Sequence, residues 1–147
     1  MSQLLKRTPC VGICSTTYGD LVCRGCKRFA HEIDQWNGYE GDQRVLVWQR
    51  LFKLREGAFS VHARIIDNEV LMDRAQGFRV PDLDILSPAN VAYEVVRRAG
   101  RESDFAALGI QPFQSASSAS ALYERIEQEL YARSLAQYEH DFHVSAQ

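Results

Sequence analysis

Cys10-Val-Gly-Ile-Cys14 … Cys23-Arg-Gly-Cys26 holds all four cysteines of the 147-residue chain within seventeen positions. The spacing is C-x3-C, eight residues, then C-x2-C. Two close pairs joined by a short loop can bring four sulfurs around one point. Gly12, Gly19 and Gly25 supply tight turns in that loop, because glycine reaches backbone conformations closed to other residues. The thiolate is the metal-binding form of cysteine. Four thiolates with no other ligand suit tetrahedral zinc or an iron–sulfur cluster. The alternatives are unrelated cysteines or two disulfides. Cys10, Cys14, Cys23 and Cys26 are therefore the candidate metal ligands, with no catalytic residue among them.

The rest of the chain sets the context. Apolar residues make up 46% and charged residues 24%, an ordinary globular composition. No apolar run approaches the roughly 20 residues of a membrane span. The start, Met1 to Pro9, has no apolar signal-peptide region. These features lead to an expectation of a cytoplasmic protein, where thiols stay reduced and clustered cysteines read as ligands rather than disulfides. Residues 1–28 carry Lys6, Arg7, Arg24, Lys27 and Arg28 against Asp20, a net +4 in a chain whose total is −2. Zinc with four thiolates is dianionic, so cations beside the cysteines would favour the bound form.

Outward from the cysteines, helical signals follow. Phe29, Ile33 and Trp36 recur at i, i+4, i+7 and predict a short helix with one apolar face, stopped at Asn37-Gly38. A second helix is expected from Gly41-Asp42, with Asp42 at the N-cap, to about Gly57, carrying Val45, Trp48 and Leu51 or Phe52. Trp36 and Trp48 read as core aromatics. Residues 63–66 and 70–72 could be strands of a small β-hairpin around Asp67-Asn68, or the second run could be helical. Ser87-Pro88 opens the clearest helix, with a buried stripe of Val91, Ala92, Val95, Val96 and Ala99 and a stop at Gly100. A last helix is expected from Ala119 to Tyr138 on Leu122, Ile126 and Leu130. The fold class is mostly α: a four-cysteine knuckle packed on two short helices at 8–57, then a mainly helical extension at 58–147.

The run Thr-Pro-Cys10-Val-Gly-Ile-Cys14, Gly19-Asp-Leu-Val-Cys23-Arg-Gly-Cys26-Lys-Arg and His31-Glu-Ile33-Asp-Gln-Trp36 resembles the small bacterial family called domain of unknown function 1289. The likeness spans about residues 8–55. It implies that the four cysteines are the ligands of one metal centre, and the family's label of predicted iron–sulfur protein suggests a cluster. It implies that Ile33 and Trp36 belong to the family's helix face. The spacing itself tips the other way, toward zinc. The C-x2-C half with an interior glycine is like a zinc knuckle, and the C-x2-C-x2-C-x3-C-P run of bacterial ferredoxins is missing.

Other candidates are weaker. His31 could be a substitute ligand, but a solvent-facing helix histidine is the simpler reading. His140-Asp-Phe-His143 has i, i+3 spacing in a terminal segment that ordinarily frays. There is no phosphate loop, no G-x-S-x-G and no H-E-x-x-H. The expectation is a metal-binding accessory protein with a closed four-cysteine centre, structural zinc or iron–sulfur, acting through protein partners. Electron transfer or redox sensing is the alternative if the centre is iron–sulfur. A nucleic-acid-binding zinc module is a further alternative, on the cationic N-terminal region with Tyr18 and Phe29.

Overall fold

A computed structural model of the chain describes residues 7–12 and 14–142. Five α-helices carry the fold: α1 (Ala30–Gln35), α2 (Gly41–His62), α3 (Asn68–Gly77), α4 (Pro88–Ala99) and α5 (Ala119–Phe142). Two three-residue strands, β1 (Ala63–Ile65) and β2 (Ile110–Pro112), pair antiparallel with Arg64 opposite Gln111. The mostly helical class is as the sequence indicated. No described helix is long and apolar enough to cross a membrane. The residues divide into two compact units, one from 1–54 with 130–147 and the other from 55–129.

In the first unit, α1 is a single turn and a half that Trp36–Gly38 extends as a 3-10 turn. Phe29 and Trp36 are buried as their spacing predicts, but Ile33 is only half-buried and Glu32 takes the inward position. Helix α2 starts where expected, yet Asp42 lies inside its first turn rather than at its cap. The cap contact comes from Gln43, whose Oε1 accepts the Glu40 N–H at 2.8 Å. Val47, Trp48 and Leu51 form the buried face of this part.

In the second unit, α2 runs past Gly57 to His62. A mid-helix glycine costs only about 1 kcal/mol, and burial of Ala58 and Phe59 just beyond it offsets that through about 2 kcal/mol for the phenyl ring alone. The hairpin alternative is corrected here. Residues 63–65 are a strand, but Val70, Leu71 and Met72 lie in α3, and the partner strand comes from Ile110–Pro112. Asp67 decides this locally: its carboxylate accepts the N–H groups of Glu69 and Val70 at 3.1 and 3.2 Å and caps α3. Ser87 caps α4 through the Asn90 N–H, with Pro88 at the first position. The stripe of Val91, Ala92, Val95 and Val96 is fully buried, and so are Ala119, Leu122 and Ile126 of α5.

Gly109 sets the approach between β2 and α3. Its φ is +77°, and a Cβ there would stand 2.4 Å from the Asp67 carbonyl oxygen and 2.8 Å from the Leu71 nitrogen. Its carbonyl accepts the N–H groups of Ile66 and Asp67. Both obstacles are backbone, so neither can rotate away. Gly109→Ala is expected to destabilise the second unit by about 2 kcal/mol or more, read as a lowered urea midpoint.

Helix α4 also buries charge that apolar periodicity does not announce. Glu94 accepts from Arg98 at 2.8 Å and Arg97 at 3.3 Å. Burial would raise its carboxyl, but Arg55, Arg98 and Arg97 outweigh burial and hold it below its ordinary value of 4.5. A carboxylate with a depressed folded pKa stabilises the fold above its unfolded pKa and loses that contribution as pH falls through the folded value. Stability should therefore fall as pH drops from about 4.5. Glu94→Gln should flatten this part of the profile, as measured by urea unfolding at a series of pH values. Tyr93, buried beside it, stays neutral well above its ordinary range because of burial, and donates to Glu127 Oε1 at 2.5 Å.

Candidate metal centre

The C-x2-C half is a tight loop closed by backbone pairing. Val22 and Phe29 form an antiparallel bridge. The Cys23 N–H donates to the Arg28 carbonyl, Lys27 N–H to the Cys23 carbonyl and Ala30 N–H to the Leu21 carbonyl, each at 2.9 Å. Lys27 sits at φ +67° to complete the turn. Its Nζ folds back onto the Gly25 carbonyl at 2.9 Å. Cys23 and Cys26 in this turn are 1% and 3% exposed.

Both sulfurs meet donors. Burial would raise the Cys23 thiol, but the backbone N–H groups of Cys26, Ser15 and Gly25, with the Cys26 thiol, outweigh it and bring it from 9.0 to about 7. Burial dominates at Cys26 and pushes that thiol up, partly opposed by Arg28, whose Nε donates to the sulfur at 3.3 Å. The Arg28 guanidinium lies 5.1 Å from the centre of the Trp36 ring, an arrangement that favours a cation. Ser15 serves twice: its N–H points at Cys23, and its Oγ accepts the Arg24 N–H at 2.8 Å.

The C-x3-C half is more open. Cys10 is exposed and Cys14 half-buried. The Gly12 N–H donates to Cys10 Sγ at 3.4 Å, and Cys14 Sγ lies 2.8 Å from Thr16 Oγ1. Among the described residues, no group of three or more His, Cys, Asp or Glu side chains is gathered as a metal would require. Cys10, Cys14, Cys23 and Cys26 are thus not drawn together as one group. His31 is exposed, with its ring 5.2 Å from that of Phe142. His140 is exposed beside Asp141, and His143 lies outside the described residues.

Lys27 and Arg28 are 2% and 4% exposed. They serve the loop carbonyl and the Cys26 sulfur rather than a phosphate-facing surface. The loop also has a polar anchor. Glu32, 5% exposed, accepts the Phe29 N–H at 2.8 Å and a bidentate pair of N–H groups from Arg50. Arg50 in turn covers the Phe29 ring at 4.0 Å. Tyr138 and Phe142 of α5 meet Phe29 edge-on at 5.0 and 5.6 Å, and Arg24 stacks on Tyr131 at 4.5 Å.

The Glu32 contact had a faint sequence signal, an acidic residue three positions after the residue preceding the helix. Arg50 and the α5 aromatics had none, since eighteen residues or more separate them from their partners. No curated protein and no solved structure matches the chain. Residues 8–55, which hold the cysteine loop, α1 and most of α2's first-unit face, match the model of the family described as "Protein of unknown function (DUF1289)".

Proposed function

We propose that this segment is a metal-binding module in which Cys10, Cys14, Cys23 and Cys26 would hold one metal centre, and that the protein acts through a protein partner. The observation carrying this reading is the donor set at the C-x2-C turn. Three backbone N–H groups aim at Cys23 and the Arg28 guanidinium at Cys26. Such donors stabilise sulfur in its anionic, ligating form, and the buried cation opposes the negative charge of a thiolate-rich site. The first pair lies nine and thirteen positions upstream of Cys23 on the same loop. Loading the centre would tie down the Thr8–Cys14 segment along with the turn.

A centre with four cysteine ligands has no open position for water or substrate, so with zinc it would be structural, and with iron–sulfur it would carry or sense electrons. The spacing favours zinc. A partner role is supported by apolar residues left open on and beside the loop: Tyr18 is 90% exposed, Leu21 49% and Val11 39%. Anaerobic purification separates the two metals. A colourless protein with one zinc per chain is expected. A brown protein with a broad visible absorption band would replace zinc with an iron–sulfur centre, and a chain that neither carries nor takes up metal would overturn the proposal.

A further inference from the structure

We propose that the outer face of the two-stranded sheet, where α2 ends, is a docking site for an acidic peptide anchored by one apolar side chain. The site lies wholly within the second unit and does not depend on the metal-binding reading. Ala63 and Ile110 are buried, so strand alternation puts Arg64 and Gln111 on the opposite, exposed side. The pairing continues one step past the strands, where the Phe113 N–H donates to the His62 carbonyl at 2.9 Å. Phe113 therefore shares the side of Gln111, and it is 57% exposed. Val61, in the last turn of α2, is 47% exposed. With His62, Gln114 and Arg125, these two residues line an open cavity of about 170 Å³. Small-molecule sites are larger, about 300–1,000 Å³. This cavity suits one aliphatic or aromatic side chain held against Val61 and Phe113.

Charge identifies what flanks that side chain. Arg125 donates through Nη1 and Nη2 to the Gln114 and Ser115 carbonyls at 3.4 and 2.8 Å. Arg64 donates through Nε and Nη2 to Gln111 Oε1 at 3.0 and 2.8 Å. These acceptors are neutral. They hold each guanidinium in place without offsetting its charge, and they leave N–H donors over, since a guanidinium carries five. Among the described residues, neither arginine pairs with a carboxylate. A guanidinium held in this way is matched to carboxylates. Two such cations are few for a nucleic-acid backbone, where about 6–10 phosphate contacts are common. An apolar anchor with Asp or Glu on either side meets both parts of the surface.

The test uses the full chain, isotope-labelled for NMR, and a synthetic peptide with a central leucine flanked on both sides by aspartates. The expected result is saturable binding with a Kd on the order of 100 µM and backbone shifts centred on Val61, Phe113, Gln114 and Arg125. Replacing the leucine by serine, or the aspartates by lysines, should weaken binding by about tenfold or more. These peptide controls need no change in the protein. Arg64→Glu and Phe113→Ser, both at exposed positions, should weaken it as much with an unchanged circular dichroism spectrum. No saturation by about 1 mM, equal binding of the serine peptide, or shifts centred elsewhere in the chain would overturn the proposal. So would tighter binding of a single-stranded RNA to these residues. Concentration-dependent shifts of the same residues without peptide would also overturn it, by making a second copy of the chain the occupant.

Discussion

Glu32→Ala is expected to lower the stability of the first unit by about 3 kcal/mol, because it removes a buried carboxylate and strands a half-buried cation. Glu32 is 5% exposed and satisfies both the Phe29 N–H and the Arg50 guanidinium. Its removal leaves Arg50, whose side chain is 17% exposed, without its carboxylate. It also opens the N-terminus of α1 at the point where the cysteine loop ends. A urea titration followed by near-ultraviolet circular dichroism would register this as a lower midpoint, with Phe29 and Trp36 losing their fixed environment. Replacing both partners, as in E32L/R50M, should recover much of the loss, since an apolar pair of similar size has no charge to strand. A double variant as weak as Glu32→Ala would show that the hydrogen bond to Phe29, not the ion pair, matters most.

The second large effect is expected at the cysteines. Structural zinc in small peptides binds with about 10–16 kcal/mol shared over four ligands. One ligand is then worth roughly 3 kcal/mol, about a hundredfold in affinity. Cys26→Ser should therefore lose metal under ordinary chelator competition, and Cys23→Ser likewise. The structural consequence should follow the contacts. Phe29 closes the loop and meets Tyr138 and Phe142, so the end of α5 should loosen together with α1. Residues 55–129 form their own compact unit with a separate core of Leu71, Val91, Val95 and Leu122, and should keep their helices. Hydrogen exchange read by mass spectrometry distinguishes these regions. Uniform loss of protection across the chain would contradict the division.

What was legible in the sequence was what local rules govern. Ser87-Pro88 and Gly100 bracket α4 because capping needs only neighbouring residues, and the Leu122/Ile126/Leu130 stripe follows from helical period. The C-x2-C turn was legible for the same reason. The strand at Ile110–Pro112 was not, because three residues carry no period and its pairing with β1 depends on Gly109 fitting against Asp67. Buried Glu32, Arg28 and Glu94 escaped a reading based on apolar faces. Glu32 is inward because Arg50, eighteen residues on, pairs with it, Arg28 because it meets a sulfur, and Glu94 because Arg97 and Arg98 on its own helix, with Arg55, offset its charge. Cys10 and Cys14 mark the same boundary: their spacing places them in reach of a shared centre, while among the described residues no three candidate ligands are gathered.

The claim that all four cysteines hold one metal is tested most directly by alkylation before and after chelation. Protein purified without oxygen is treated with iodoacetamide, alone or with a strong chelator, and each cysteine is counted by peptide mass. The account predicts that Cys10, Cys14, Cys23 and Cys26 are all protected in the loaded chain and all modified once metal is withdrawn. Exposed Cys10 reacting equally fast in both samples would contradict it, since nothing but a ligand bond would shield that sulfur.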